Sequence, residues 1–449
     1  MVCLRCILQV ILLASATAKI SYFWHITDIH LDVDYSVKGD PRRNCWRTEQ
    51  SVNHETVGRY GNYNCDSPWA LVQSAARTMK TKNGEDIEFV LWTGDGLSVM
   101  SSSRSSEKQV AALQNLTHLF SHTFPSQFVF PVLGHDDPGG NPGERLGYRE
   151  LANFWRHWLP SEAIATFVKG GYYTIEHKDN KLRIIALNTN LYSSPHSKGD
   201  DPSEQFSWLA EVLEKSQKFR EKVYIVGHMG PGPDERQPDT MPHFREAAAR
   251  RYLGLIRKYS DIIVGQFFGH LHSDTFRIVY NGSSARPVSW MLMAPSLSPR
   301  RTNGGANNPG LRLYKFNRDT AQVLDYTQYY LDLNQANQKE KADWSQEYNF
   351  TSYYGLTNIT PSSLHELASS FRHDSPSFDR YYRANSVGLS MGHCDGPCTL
   401  THYCATTRVE YSEFRHCLDA AASALASGST AITAGLFVVL ALGLPSLVT

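Results

Sequence analysis

Tyr22-Phe23-Trp24-His25-Ile26-Thr27-Asp28-Ile29-His30 decides the reading of this chain. An apolar, aromatic run ends there in Asp-x-His. A short apolar run bounded by polar residues reads as a buried strand. Positions i and i+2 of an extended chain share a face. Asp28 and His30 therefore offer a carboxylate and an imidazole side by side. Three further runs repeat the device: Phe89–Trp92 leads to Gly94-Asp95, Val223–Val226 to Gly227-His228, and Ile262–Phe268 to Gly269-His270-Leu271-His272. Ligands placed just past strand ends meet at one edge of a sheet, where α/β folds build their sites. This mixed nitrogen and oxygen set suits zinc, manganese or iron. One zinc ion takes four ligands, whereas two ions sharing a carboxylate use the whole set. Paired ions sit about 3.5–4 Å apart, clamp the oxygens of an in-line phosphoryl displacement and lower the pKa of bound water to about 7.

Outward from these runs, residues 19–335 alternate strand-like and helix-like stretches. Further strands are expected at Phe128–Leu133 and Arg183–Leu187. Helices are expected at Ser203–Lys218 and Phe244–Tyr259. That alternation predicts an α/β fold with the sheet buried between helices. Arg42–Cys65 reads as a disulfide-pinned loop; its aromatic-rich stretch Arg42–Tyr63 serves structure alone or offers a substrate or membrane contact. Residues 336–418 read as a helical appendage, with helices at Ser363–Arg372 and Ser377–Ala384. In the 449-residue chain, Lys+Arg and Asp+Glu both total 44, so charge gives no case for a nucleic-acid polymer as partner.

The ends carry their own signals. Arg5, the apolar stretch Ile7–Ala14 and Ala16-Thr17-Ala18 read as a secretory signal, residues 1–18. Sequons at Asn115, Asn281, Asn349 and Asn358 agree with secretion and predict glycosylation. Cys45, Cys65, Cys394, Cys398, Cys404 and Cys417 remain after the signal, an even number that suits disulfides in an oxidising compartment. Proximity favours Cys45 with Cys65 and pairing of the other four among themselves. Cys394, Cys398, His393 and His402 offer zinc as an alternative. After Cys417, small residues, a spacer and the apolar tail Ala434–Val448 read as a GPI-attachment signal with Ser423 as the attachment residue and 424–449 removed. The expected location is the extracellular face of the plasma membrane, with some secreted protein, as a monomer.

Taken in order, these motifs resemble the calcineurin-like metallophosphoesterases. Trp24–Asp32, Leu187–Tyr192, Gly227–Gly232, Phe267–Asp274 and Asn307–Gly310 are similar to the acid sphingomyelinase branch, over residues 20–418. The resemblance implies a four-layer α/β/β/α sandwich with a disulfide-tied helical C-terminal appendage, and two zinc ions. It implies that Asp28, His30 and His272 hold the first ion, that His228 and His270 hold the second, and that Asp95 bridges. It also implies a role for Asn188 in substrate binding. Members cleave phosphodiesters, sphingolipids among them, to an alcohol and a phosphomonoester; metal-bound hydroxide attacks and a His protonates the leaving oxygen.

Two departures stand out. The family's Gly-Asn-His-Asp is here Gly134-His135-Asp136-Asp137. Read without a gap, His135 replaces a ligand Asn and Asp136 replaces the catalytic His. Read with one residue deleted, His135 is the catalytic acid and the Asn is missing. The second departure is Gly96–Met100, which lacks the His that the branch places after Gly-Asp. Three functions follow: a zinc phosphodiesterase acting on phosphocholine lipids or nucleotide-type diesters, a GPI-anchored protein of this fold that binds lipid headgroups with little chemistry, or a phosphomonoesterase or nucleotidase on the same fold.

Overall fold

The computed structural model describes residues 19–47, 56–82, 86–98, 106–137, 147–177, 181–193, 199–282, 285–301 and 305–420. Residues 1–18, Ser423 and the tail 424–449 lie outside them. The strands are β1 (Ile20–Ile26), β2 (Tyr35–Asp40), β3 (Ile87–Trp92), β4 (Phe128–Pro131), β5 (Tyr173–His177), β6 (Leu182–Ala186), β7 (Lys222–Val226), β8 (Ile263–Phe268), β9 (Thr275–Asn281), β10 (Arg286–Met293), β11 (Gly310–Asn317), β12 (Val323–Tyr330) and β13 (Ser345–Asn349). The helices are α1 (Trp69–Thr81), α2 (Ser106–Thr123), α3 (Tyr148–Phe154), α4 (Ser161–Gly170), α5 (Gln205–Phe219), α6 (Glu246–Lys258), α7 (Leu333–Gln338), α8 (Phe350–Tyr354), α9 (Pro361–Ser370), α10 (Ser375–Asn385) and α11 (Gly396–Thr407).

Two six-stranded sheets form, ordered β13-β12-β11-β1-β3-β4 and β5-β6-β7-β8-β10-β9. Alternation along β1 explains how they stack. Phe23 points between the sheets, its ring 5.7 Å from Tyr224 and 5.4 Å from Phe267. Trp24 points the other way and donates its indole N–H to Met79 O on α1 at 3.1 Å. On the far side, Leu209, Leu213, Leu253 and Ile256 of α5 and α6 bury against Ile185, Val223 and Ile225. The order is helices, sheet, sheet, helices. Burying an aromatic or aliphatic side chain contributes about 1.5–3 kcal/mol, and a strand buried on both faces has no polar side to give, which is why these runs are continuously apolar.

Parallel pairing lines up the strand ends. Ile26 lies opposite Trp92 and Trp92 opposite Pro131, while Val226 lies opposite Phe267. The loops that follow β1, β3, β4, β7 and β8 therefore emerge together.

The C-terminal region is more integrated than an appendage. β13 pairs with β12 and extends the first sheet, so the expected boundary at 336 falls inside the sheet system. Leu364, Phe371, Phe378 and Tyr381 of α9 and α10 join the main core. Pairing is Cys45–Cys65, Cys394–Cys398 and Cys404–Cys417. Cys394 and Cys398 thus have no thiolate for zinc, and His402 is a core residue against Phe378 and Tyr381. Asn115 and Asn281 are exposed, and Asn349 and Asn358 half-buried. Among the described residues, no helix is long and apolar enough to cross a membrane.

Candidate active site

Three loops of the first sheet and two of the second bring seven side chains together. Asp28, His30 and His272 form one group, and Asp95, His135, His228 and His270 another. Each group draws from both sheets. Within the first, Nε2 of His272 lies 3.1 Å from Nε2 of His30 and 3.4 Å from Asp28 Oδ1. Within the second, Asp95 Oδ2 lies 2.9 Å from His135 Nδ1 and 3.1 Å from His228 Nε2. The same Asp95 oxygen is 3.7 Å from His30 Nε2, so Asp95 stands between the groups.

The backbone is bent to achieve this. Asp28, His30, Asp95, His270 and His272 all have left-handed φ, between 46° and 68°. Such conformations cost on the order of 1–3 kcal/mol each outside glycine and persist where surrounding structure enforces them. Close approach enforces them here. A Cβ on Gly269 would lie 1.9 Å from Thr27 Oγ1, and one on Gly134 would lie 2.0 Å from Asp95 Oδ1.

Hydrogen bonds orient the imidazoles. His228 Nδ1 meets Thr93 O at 2.8 Å, and His272 Nδ1 meets Arg300 O at 2.9 Å. A carbonyl accepts, so each Nδ1 carries the proton and each Nε2 lone pair faces the centre. Thr27 Oγ1 and His270 N both donate to Asp28 Oδ2. Asp28 Oδ1 and Asp95 Oδ2 are buried and have no partner but the imidazoles of the two groups. Leaving a buried carboxylate oxygen unsatisfied is costly, and cations at these two oxygens would remove the cost. The donor set fits two divalent ions.

Without ions, protons take their place. Against burial, Asp28, Asp95, Asp66 and Asp136 raise His30 to about 10, and Asp95 and Asp28 raise His228 to about 9. His270 is held well below the usual imidazole range by burial and by the rings of His135, His243 and His228. Burial and the Asp95 carboxylate push Asp136 up to about 6, with His135 pulling back.

The Gly134–Asp137 loop places His135 inside the second group. Asp136 follows, its Oδ2 3.7 Å from His30 Nδ1, on the wall of a cavity of about 370 Å³. Asp137 is structural, accepting from Gly134 N and Gly96 N at 2.9 and 2.8 Å. Of Gly96–Met100, the stretch without an imidazole, Gly96, Leu97 and Ser98 are buried and Val99 and Met100 lie outside the described residues. Asn188 does not reach the cavity, contrary to expectation. It is fully buried, its amide donates to Gly170 O and Tyr148 Oη, and its Oδ1 accepts from Asn190 N. Asn190 in turn donates to Gly134 O at 3.0 Å, so this motif supports the His135 loop from behind. His243, Arg301 and Met241 also line the cavity. No strand-end motif marks them in the sequence.

The calcineurin-like phosphoesterase profile matches residues 21–274, and the acid sphingomyelin phosphodiesterase C-terminal region matches residues 286–424. The chain belongs to the acid sphingomyelinase-like branch of the calcineurin-like phosphoesterases. It is 37% identical over 432 residues to the human acid sphingomyelinase-like phosphodiesterase 3b, covering 93% of each chain. It is 36% identical over 416 residues to the human cyclic GMP-AMP phosphodiesterase SMPDL3A, covering 89% of this chain and 90% of that one. A dimetal phosphatase from Danio rerio superposes with a TM-score of 0.42 at 14% identity, covering 69% of this chain and 95% of that one. The chain is a phosphodiesterase of this family, and the fold implies a dinuclear metal site.

Proposed function

We propose that this phosphodiesterase uses two zinc ions, acts at the outer face of the plasma membrane and prefers polar, nucleotide-type diesters. The reading is carried by two ligand groups that share Asp95 at one cavity. Asp28, His30 and His272 would hold one ion, His135, His228 and His270 the other, with Asp95 between. Zinc bonds of about 2.0–2.1 Å in a tetrahedron set ligand edges of about 3.3 Å. The edges from His272 Nε2 to His30 Nε2 and Asp28 Oδ1, 3.1 and 3.4 Å, are close to that. Bound ions supply Lewis-acid stabilisation of charge building on the phosphoryl oxygens.

The chain's residues do the rest. Thr93 O and Arg300 O hold His228 and His272 in one tautomer, as outer partners of metal-ligating imidazoles do. Asp136 holds a carboxyl at the cavity wall, where it moves a proton to the departing oxygen. No Phe, Tyr or Trp lines the cavity among the described residues, and the internal segments outside them contain none in sequence. Quaternary ammonium groups are bound by aromatic cages, so a phosphocholine headgroup lacks its usual partner. The relative described as a cyclic GMP-AMP phosphodiesterase also supports a nucleotide-type diester. Complete pairing of the six cysteines supports an oxidising compartment. Attachment through GPI at Ser423 rests on the C-terminal pattern, and phosphatidylinositol-specific phospholipase C should release the protein from cells.

The test is hydrolysis of bis-p-nitrophenyl phosphate, with zinc and after chelation, at about pH 5 and about pH 7, which bracket the reference value of His. Turnover restored by zinc is expected. Turnover that survives complete chelation would reject the dinuclear reading. Sphingomyelin and a cyclic dinucleotide, run side by side, decide the substrate class.

A further inference from the structure

Among the described residues, every imidazole lining the cavity but one belongs to a ligand group, and the exception is His243. Its ring stands edge-to-face with His270, centroids 4.5 Å apart at 84°, and 6.1 Å from His135. It therefore sits over the second ligand group. Its place is fixed from below. Phe244 is buried and packs against Tyr192 and Tyr252, Ser193 and Phe244 form an antiparallel bridge, and Arg245 N donates to Tyr192 O at 3.0 Å. Neighbouring donors on this wall are engaged: Arg301 donates to Asp234 and to Leu271 O, and Gln237 donates to Asp234. Neither ring nitrogen of His243 has a hydrogen-bond partner among the described residues. A fixed, uncommitted N–H at the mouth of a concave site is the kind of group that orients an anionic ligand.

We propose that His243 contacts substrate, its imidazole N–H donating a hydrogen bond to a phosphoryl oxygen of a diester lying over His135 and His270. This rests on the phosphodiesterase reading above and adds a binding group to it. Hydrogen bonds to charged groups are the stronger class, and losing one of about 1.5–3 kcal/mol corresponds to about a 10- to 100-fold loss in kcat/KM.

The experiment compares full-length, zinc-loaded wild type with His243→Leu and His243→Gln. Three quantities are read: kcat and KM on bis-p-nitrophenyl phosphate, the affinity for inorganic phosphate by titration calorimetry, and bound zinc by atomic emission. Expected for the leucine variant are a 10- to 100-fold lower kcat/KM, weaker phosphate binding and unchanged zinc. Glutamine, which keeps an N–H donor, should restore most of both losses. The proposal is overturned if leucine stays within about twofold of wild type in phosphate binding, if zinc is lost with the ring, or if glutamine is no better than leucine. A wild type with no zinc-dependent turnover would defeat the enzymatic reading instead, and calorimetry would still decide whether His243 holds phosphate.

Discussion

Two sets of buried carboxylates in this molecule are treated in opposite ways. Where α10 meets β9, Glu235 accepts from Arg277 Nη2 at 2.5 Å and from Asn385 Nδ2 at 2.9 Å. Asp274 accepts from Tyr326 and Tyr348 and pairs with Arg312 at 2.6 Å. Both have partners on both oxygens. At the strand ends, Asp28 Oδ1 and Asp95 Oδ2 are equally buried, and they have no partner but the imidazoles of the ligand groups themselves. A buried charge with complete partners is structure, whereas one held open at an enforced backbone is a place kept for something else.

The largest effect should come from Asp95→Ala. It removes the side chain shared by both groups, so both ions should be lost and kcat/KM should fall on the order of 10³-fold or more, since each ion supplies several kcal/mol. Atomic emission on the purified variant checks the ion count; two ions retained would break the shared-ligand assignment. Glu235→Ala should act on the other axis. Stranding Arg277 should cost about 3–5 kcal/mol in urea unfolding, while the folded variant still binds its ions. Lost ion binding without lost stability would erase the contrast between the two sets.

pH sharpens it further. His30 and His228 have metal-free values raised to about 10 and about 9, above the unfolded reference of about 6.5. Their contribution to metal-free stability is complete below about pH 6.5 and fades as pH rises through about 9–10. Ions must displace those protons. The gap in Tm between loaded and metal-free protein should therefore widen from about pH 6 to about pH 9, and calorimetry in buffers of different ionisation enthalpy should show proton release on binding. A gap independent of pH would contradict the assignment of these imidazoles. The smallest effect should be Asp395→Ala, which removes the N-cap of α11, where Asp395 accepts from Cys398 N at 2.9 Å. The expected cost is about 1 kcal/mol by thermal melting, with hydrolysis unchanged.

What the sequence discloses follows from locality. Asp28-x-His30 and His270-x-His272 are legible because ligand and strand are contiguous, and the strand's apolar period announces the edge. Helices at Gln205–Phe219 and Glu246–Lys258 lie within a few residues of their expected spans. Glu235 and Asn385 are invisible as partners because 150 residues separate them and neither stands in a periodic run. β13 escapes notice because Ser345-Gln346-Glu347-Tyr348-Asn349 lies at a sheet edge with few apolar positions. Asn188 misleads because its neighbours match a motif whose work is packing behind the site. His243 leaves no trace because its position depends on Phe244 docking against Tyr192.

Because each ligand group takes side chains from both sheets, every bound ion would also be a rivet. His30 and His272 lie 242 positions apart along the chain, and the entropy of closing so long a loop rises with the logarithm of its length. An ion there adds a fastening between two slabs that otherwise meet through side-chain packing and a few hydrogen bonds, such as those of His270 N to Asp28 and His228 to Thr93 O. Metal removal should then speed amide hydrogen exchange in β1 and β7 together, well away from any atom that touches substrate, so that chemistry and mechanical cohesion are lost in the same step.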